Sequence, residues 1–386
     1  FAGINGSGKH NNWSMSTESE NLLEPGHTPH ENAQFLVFTV AVIRAVAKYS
    51  KILRLSIASA HNDHRLGANE APPAIISIFL GDQLNDIIEQ IEKGGAKTSK
   101  QGGMFQTGVS ILPQLPKEAG DRNRTSPFAF TGNKFEFRAV GASQNISGPN
   151  TVLNTIVAES LDFIATRLEA DVKAGKSLNA AIQDLLPGII KESKKVVFNG
   201  NGYSEEWHQE AEKRGLPNLK STVESLPTVI DADTIALFAK YKVFSEKELH
   251  SRFNILSEAY VKAVMIEGKT ALNMARTMIL PAALRYQKEV GESIAAAKAA
   301  GASTPAGLES FGTLVSTINE LTREIGKLDK ALSHHAEGEP FDHAKFTREH
   351  VFTALSSLRE VADKLESIVA DDLWPLPTYR EMLFIR

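Results

Sequence analysis

The sequence contains no cysteine and has no strong excess of charge of either sign. Without cysteine the chain forms no disulfide and offers no thiolate to a metal, which is compatible with a reducing cytosol. A formal net charge of −4 gives no basic footprint, which argues against nucleic acid as the main partner. We therefore expect no nucleic-acid partner.

Long hydrophobic runs are missing as well. The longest strongly apolar run, Phe35–Ile43, is far shorter than the roughly 20 residues that a membrane-spanning helix needs, so we expect no membrane partner. No secretory signal peptide is visible. The 386 residues are 42% hydrophobic and 23% charged, which is ordinary for a globular protein of one large or two to three smaller domains.

The most unusual stretch is the first one, FAGINGSGKHNNWS at residues 1–14. It combines glycine-rich backbone with a cation, Lys9, and a potential metal ligand, His10. One interpretation is a polar turn. A second is a phosphate-binding loop, since Gly3, Gly8 and Lys9 nearly fit G-x-x-x-x-G-K-[ST], but His10 stands where that loop needs a hydroxyl. A third is part of an active site. Because the chain begins inside this stretch, we expect it to be the C-terminal part of a longer protein.

A second informative stretch, residues 134–140, alternates in the manner of a β-strand. Phe135 and Phe137 share one face, and Lys134, Glu136 and Arg138 share the other. A solvated strand face shows the same pattern, but polar segments flank the strand on both sides. This arrangement favours a site on the charged face.

The rest of the chain is mostly helical in pattern. Thr28 resembles a helix N-cap, with Pro29 and Glu31 completing the start of a helix that reaches about Tyr49. A long helical region from Ser245 should be kinked at Pro281. Two further helices, 308–332 and 346–369, predict a helical hairpin near residues 305–370.

The chain contains four motifs in order, NGSGKHNNWS, RLGANEAP, NRTS and KFEFR, and this set resembles that of the glutamine synthetases. NGSGKHNNWS, at 5–14, resembles the signature N-G-S-G-x-H-x-H-x-S, with Asn12 in place of the second histidine. RLGANEAP, at 65–72, resembles R-L-x-P-G-x-E-A-P but is one residue shorter. NRTS, at 123–126, and KFEFR, at 134–138, resemble N-R-S-A and R-x-E-x-R. Lys9, Asn12 and the long helical C-terminus resemble the type III (long bacterial) branch of that family.

The resemblance implies an α+β fold in two parts. Residues 1–170 would be the C-terminal part of a catalytic domain, an antiparallel sheet with helices, and residues 171–386 a mostly helical region. The implied reaction is the ATP-dependent condensation of glutamate with ammonia through a γ-glutamyl phosphate. The implied setting is a cytoplasmic homo-oligomer built as a double hexameric ring (a dodecamer).

The resemblance also implies the roles of individual residues. The ligands of a divalent metal, Mg²⁺ or Mn²⁺, would be His10 and Glu136. The contacts to glutamate would be Asn5, Gly6, Arg65 and Arg138. The two arginines suit this role because a guanidinium binds a carboxylate bidentately. Nucleotide or phosphate contacts would be Lys9, Asn12, Ser14 and Lys134. The catalytic residues would be Glu70, which helps to deprotonate ammonium, and Arg124, which stabilises the phosphoryl group in transfer.

Departures from the family pattern leave alternatives open. Ala129 stands where the bacterial pattern has another phosphate-binding arginine, and Lys134 replaces an arginine. Further metal ligands and the N-terminal domain would lie upstream, so we expect this chain alone to be inactive. A γ-glutamyl-amine ligase or an inactive regulatory homologue fits the same motifs. A helical scaffold module fits residues 150–386 but leaves the four motifs unexplained.

Overall fold

The computed structural model describes residues 8–68, 70–95, 98, 104–105, 115–116, 125–334, 338–377 and 379–383. The chain divides into two compact units, residues 2–253 and residues 254–386. In the part of the chain that is described, no helix has the length and apolar character needed to cross a membrane.

Helices form most of both units, as the periodicity of the sequence predicts. The α-helices are α1 (Ala33–Leu55), α2 (Ala60–Asp63), α3 (Gly81–Glu92), α4 (Ser147–Lys173), α5 (Leu178–Ser193), α6 (Glu205–Lys213), α7 (Thr222–Ser225), α8 (Ala232–Lys240), α9 (Glu246–Met274), α10 (Leu280–Ala299), α11 (Pro305–Ser333), α12 (Pro340–Phe346), α13 (Thr353–Glu366) and α14 (Tyr379–Leu383). Short 3₁₀ turns occupy Lys194–Val196 and Leu226–Ile230, and π-helical turns occupy Ala275–Ile279 and Thr347–Phe352.

The strands are β1 (Gly8–Trp13), β2 (Ile78–Phe79), β3 (Met104–Phe105), β4 (Leu115–Pro116), β5 (Phe128–Phe130) and β6 (Phe135–Gly141). Four of them form one sheet in the order β1-β6-β5-β2, and β3 pairs with β4 separately. β2 runs parallel to β5, whereas the other pairs are antiparallel. The sheet is therefore mixed, and the expectation of an antiparallel sheet is wrong at this edge. The reason is the connection from β2 to β5, which contains α3 and so does not form a hairpin.

The core of the first unit lies between the sheet and the helices that cover it. α1 packs against α4 and α5, and α5 also contacts α3. Four phenylalanines of β5 and β6 are buried and in ring contact with one another: Phe128, Phe130, Phe135 and Phe137. In the second unit, α11 packs against both α10 and α13.

Two helical regions differ in detail from the sequence-based expectation. α1 begins at Ala33 rather than near Thr28, because the side chain of Asn32 accepts a 3.0 Å hydrogen bond from Phe35 N and caps the helix. Residues 28–32 form turns before it.

The interruption expected at Pro281 takes the form of the π-helical turn Ala275–Ile279, after which the helical backbone continues as α10. The wider turn lies just before Pro281, which has no backbone N–H to donate to the helix.

Candidate active site

β1 and β6 carry most of the residues that the motifs single out. Asn12 lies opposite Glu136, and Trp13 lies opposite Phe135. The register then shifts, so that His10 opposes two residues of β6, Arg138 and Ala139. This is a β-bulge, a feature that redirects side chains and is common beside active sites.

The inner face of β1 is anchored on α4. Asn11 Nδ2 donates a 2.8 Å hydrogen bond to Asn150 Oδ1, and Trp13 Nε1 donates a 2.9 Å bond to Asn154 Oδ1. Asn11 and Trp13 are both buried, whereas His10, Asn12 and Ser14 are exposed. The strand therefore turns a row of polar side chains outward. Because Gly8 and Lys9 lie in a strand, they do not form a phosphate-binding loop of the type that precedes a helix.

A carboxylate joins an imidazole and a guanidinium at the centre of this face. Glu136 Oε1 lies 3.5 Å from His10 Nδ1, and Glu136 Oε2 accepts a 2.8 Å hydrogen bond from Arg138 Nε. The side chain of His10 is 54% exposed and that of Glu136 is 17% exposed, so the pair is open to a ligand. Among the described residues, no group of three or more His, Cys, Asp or Glu side chains is arranged to hold a metal ion. His10 and Glu136 can therefore supply only part of a coordination shell.

Arg65 lies beside this centre, on the turn that follows α2. Its Nη2 donates to the carbonyl oxygen of Arg138 at 3.1 Å, and its Nη1 donates to Asn62 Oδ1 at 3.3 Å. Burial holds the pKa of the Arg65 guanidinium below its ordinary value. The second and fourth motifs therefore meet in space, and with them the two arginines that the resemblance assigns to carboxylate binding.

Asn62 holds this arrangement together, although sequence reasoning missed it. Its fully buried side-chain amide donates to Ile57 O at 2.8 Å and to Ala139 O at 3.0 Å. Gln144 makes a similar pair of bonds: its Nε2 donates to Ile57 O at 3.0 Å, and its Oε1 accepts from Gly141 N at 2.8 Å. The sequence shows that Asn62 and Gln144 lie in the polar segments HNDHR and ASQN. It does not show which backbone groups their side chains bond.

The remaining nucleotide candidates lie along the same strand pair. Lys9 Nζ donates to the backbone carbonyl of Gln144, and Asn12 Nδ2 donates to the carbonyl of His10 at 3.4 Å. Ser14 Oγ lies 2.8 Å from Asn21 Oδ1 and 3.1 Å from the carbonyl oxygen of Asn133. Lys134 immediately precedes β6, and its carbonyl accepts from Thr131 N at 2.8 Å. Ser14 and Lys134 therefore flank the end of the strand pair where Trp13 opposes Phe135.

Glu70 has an unusual backbone. It is exposed, and its φ of 62° lies in the left-handed region that non-glycine residues rarely adopt. Such strain often marks functional segments. The candidates Asn5, Gly6 and Arg124 lie outside the described residues.

A segment that the motif analysis did not mark also reaches this area. Gly202 N donates a 2.7 Å hydrogen bond to Thr125 Oγ1, next in sequence to Arg124. The neighbouring Tyr203 interacts electrostatically with both Arg65 and Glu70. The sequence signal was present, because Asn199-Gly200-Asn201-Gly202 is a second run of asparagine and glycine like the one at residues 5–8.

Comparison with known proteins shows which class of protein the chain resembles. A family model described as the glutamine synthetase C-terminal domain matches residues 181–298. Curated glutamine synthetases also align with the whole chain. The chain is therefore similar to glutamine synthetases over its whole length.

One of the relatives carries the name of the branch that the motifs resemble. The chain is 43% identical over 395 aligned residues to the type-3 glutamine synthetase of Dictyostelium discoideum. It is 41% identical to the glutamine synthetase of Butyrivibrio fibrisolvens and 38% identical to that of Bacteroides fragilis. Each alignment covers 100% of this chain but only 54–55% of the relative. The chain thus spans about half the length of the curated relatives it matches.

Proposed function

We propose that this chain is the C-terminal portion of an ATP-dependent ligase that condenses glutamate with ammonia through a γ-glutamyl phosphate. The observation that carries the proposal is the order of side chains along the β1–β6 pair. The arginine pair, Arg65 and Arg138, lies toward the Gly8 end, His10 and Glu136 lie next to it, and Ser14 lies at the Trp13 end. His10 and Ser14 are about 14 Å apart at the usual rise of a strand. A glutamate and a nucleotide bound at the two ends would bring their reacting groups together near His10 and Glu136.

The two arginines would hold the negative charge of glutamate. Arg65 is buried, and its guanidinium is oriented by Asn62 Oδ1 and by the carbonyl oxygen of Arg138. Arg138 is likewise buried and is fixed by Glu136. A guanidinium held in this way recognises a carboxylate with little loss of side-chain freedom on binding. Asn5 and Gly6 would complete the glutamate site.

His10 and Glu136 fit a divalent metal in the chemistry of their donor atoms. An imidazole nitrogen and a carboxylate oxygen 3.5 Å apart, on an exposed face, can bind one ion together. Mg²⁺ and Mn²⁺ both suit this donor pair, and imidazole favours Mn²⁺. When bound, a divalent metal neutralises phosphate oxygens and aligns the attacking and leaving groups. Metal binding at this pair uses the carboxylate form of Glu136 and the neutral imidazole of His10.

Glu70 and Arg124 would act on the reacting groups. Ammonia attacks only in its deprotonated form, so a carboxylate must accept a proton from ammonium at the site. The exposed carboxylate of Glu70, beside the Arg65 turn, suits that role. Arg124 would stabilise the phosphoryl group in transfer, by its likeness to the family motif. Lys9, Asn12, Ser14 and Lys134 would contact the nucleotide and its phosphates.

The larger organisation is also a proposal. Residues 1–170 would complete a catalytic domain, and residues 171–386 would form a helical region with a hairpin near 305–370. The full-length protein would be a cytoplasmic double hexameric ring. Each alignment covers only 54–55% of the relative, which supports the part of this proposal in which the chain is one portion of a longer protein.

An assay of the full-length protein tests the proposal. We expect ATP- and glutamate-dependent release of phosphate that requires ammonium and a divalent metal, and we expect the 386-residue chain alone to be inactive. Turnover with small primary amines in preference to ammonium would favour a γ-glutamyl-amine ligase instead. Glutamate binding without any turnover would favour a regulatory homologue.

A further inference from the structure

The segment Val197–Tyr203 is fixed to the sheet at its start. Val197 forms a parallel bridge with Ile78 of β2, and Phe198 N donates a 2.9 Å hydrogen bond to Ile78 O. Asn199 Oδ1 then accepts from Leu80 N at 2.9 Å and from Gly81 N at 3.2 Å, where β2 leads into α3. The segment therefore adds to the β2 edge of the sheet, which is the edge opposite to β1.

The end of the segment is fixed against the third motif. Gly202 N donates to Thr125 Oγ1 at 2.7 Å. A Cβ at residue 202 would lie 2.6 Å from the carbonyl oxygen of Thr125, closer than real Cβ atoms approach backbone oxygen. Ser204 Oγ next accepts from Trp207 N at 3.2 Å and caps α6. The backbone of Tyr203 thus lies between two anchored residues.

The anchored segment is also linked to Arg65 by hydrogen bonds. Two residues after Thr125, the carbonyl oxygen of Pro127 accepts a 2.9 Å bond from Arg138 N, and the carbonyl oxygen of Arg138 accepts a 3.1 Å bond from Arg65 Nη2. Tyr203 therefore lies in the neighbourhood of the Arg65 guanidinium.

The surroundings of Tyr203 suit a neutral hydrogen-bond donor. Burial raises the pKa of its phenol and the charge of Glu70 raises it further, while Arg65 acts in the opposite direction; the net pKa is raised. The phenol therefore keeps its proton at neutral pH. Its side chain is nevertheless 37% exposed, so it borders open space rather than the core.

We propose that Tyr203 is a glutamate-binding residue whose hydroxyl donates a hydrogen bond to the substrate carboxylate held by Arg65. This inference rests on the proposed function, because the ligand is the glutamate of that reaction. A guanidinium attracts a carboxylate by its charge, and a neutral hydrogen-bond donor beside it would fix the orientation of that carboxylate. The residue comes from the region matched by the family's C-terminal-domain model, not from the four motifs.

The test is Tyr203→Phe in the full-length protein, with steady-state kinetics in glutamate and in ATP. Loss of one hydrogen bond to a charged group predicts a rise of roughly 10-fold in the KM for glutamate. We expect the KM for ATP and the melting temperature to stay at wild-type values. Tyr241→Phe is the matched control, because the Tyr241 hydroxyl bonds Asp162 Oδ2 at 2.8 Å instead. An unchanged KM for glutamate, or equal changes in both KM values, would overturn the inference.

A second pair of variants tests the seating of the segment. Gly202→Ala should push the chain away from Thr125 and raise the KM for glutamate, whereas Gly188→Ala should not, because no atom lies within 4 Å of its Cβ position. A wild-type KM in Gly202→Ala would contradict the placement of Tyr203. A wild-type protein that does not use glutamate would overturn the proposed function itself. An active wild type with an unaffected Tyr203→Phe variant would overturn this inference alone.

Discussion

Gly8 lies directly against the guanidinium of Arg65. A Cβ at residue 8 would lie 2.1 Å from Arg65 Nη2 and 2.6 Å from the carbonyl oxygen of Val140, so no side chain fits there. The space beside this glycine is occupied by an arginine from the second motif. The glycine of the first motif is thus explained by close packing against the proposed carboxylate-binding residue.

Gly8→Ala should therefore displace Arg65 or separate β1 from β6. We expect kcat/KM for glutamate to fall about 100-fold, because a shift of about 1 Å in a positioning group has an effect of that order. Steady-state kinetics on the full-length protein measures the change. Gly312→Ala is the control, since nothing lies within 4 Å of its Cβ position and it should keep wild-type kinetics. Wild-type kinetics in Gly8→Ala would mean that the contact with Arg65 has no part in activity.

His10 and Glu136 are expected to act as one unit. His10→Ala and Glu136→Ala should each lower kcat by at least about 100-fold, and the double variant should be little worse than either single variant, because both changes remove the same site. The measurement is a double-mutant cycle in kcat, repeated over a range of Mg²⁺ and Mn²⁺ concentrations. Full activity in either single variant, or additive losses, would argue against a shared metal.

The strand face of residues 134–138 could be predicted from the sequence, because alternation fixes which side chains share a side. The bulge opposite His10 could not, since it depends on the pairing of residues distant in sequence. The parallel pairing of β2 with β5 could not be predicted either, because β2 is only two residues long. Tyr203 was missed for a related reason. Its association with Arg65 and Glu70 is set by long-range contacts at Ile78 and Thr125, and local pattern carries no such information.

Glu70 offers a test that separates backbone strain from chemistry. Glu70→Gly relieves the positive φ of 62° while it removes the carboxylate, so we expect stability to be unchanged or higher. Activity should fall about 100-fold or more if the carboxylate takes the proton from ammonium. Lys242→Gly is the matched control, because Lys242 has a φ of 54° and no proposed role. Melting temperature and kcat are the two measurements. Wild-type kcat in Glu70→Gly would contradict the proton-transfer role.

Glu159 gives a prediction about pH. It lies on α4, the helix that anchors β1, and its carboxylate accepts 2.7 Å and 2.9 Å hydrogen bonds from Arg44 Nη1 and Lys48 Nζ of α1. Burial alone would raise the pKa of this carboxyl, but the bonds from Arg44 and Lys48 outweigh burial and leave the pKa below its ordinary value. A carboxyl with a lowered pKa stabilises the fold above its unfolded-state pKa, and that stability is lost as the pH falls through the folded-state pKa.

Glu159→Gln should therefore lower the free energy of unfolding by about 1–3 kcal/mol at pH 7, because the largely buried Arg44 and the half-exposed Lys48 lose their partner charge. The difference from wild type should shrink as the pH falls below the ordinary pKa of glutamate and through the lowered pKa of Glu159, where the wild-type carboxyl also becomes neutral. Denaturant unfolding curves at several pH values measure both effects. Glu169→Gln serves as the control on the same helix, since Glu169 is 69% exposed in its pair with Lys173 and should leave the curves near wild type. A Glu159→Gln deficit that is constant with pH would show that packing, rather than charge, joins α1 to α4 at this position.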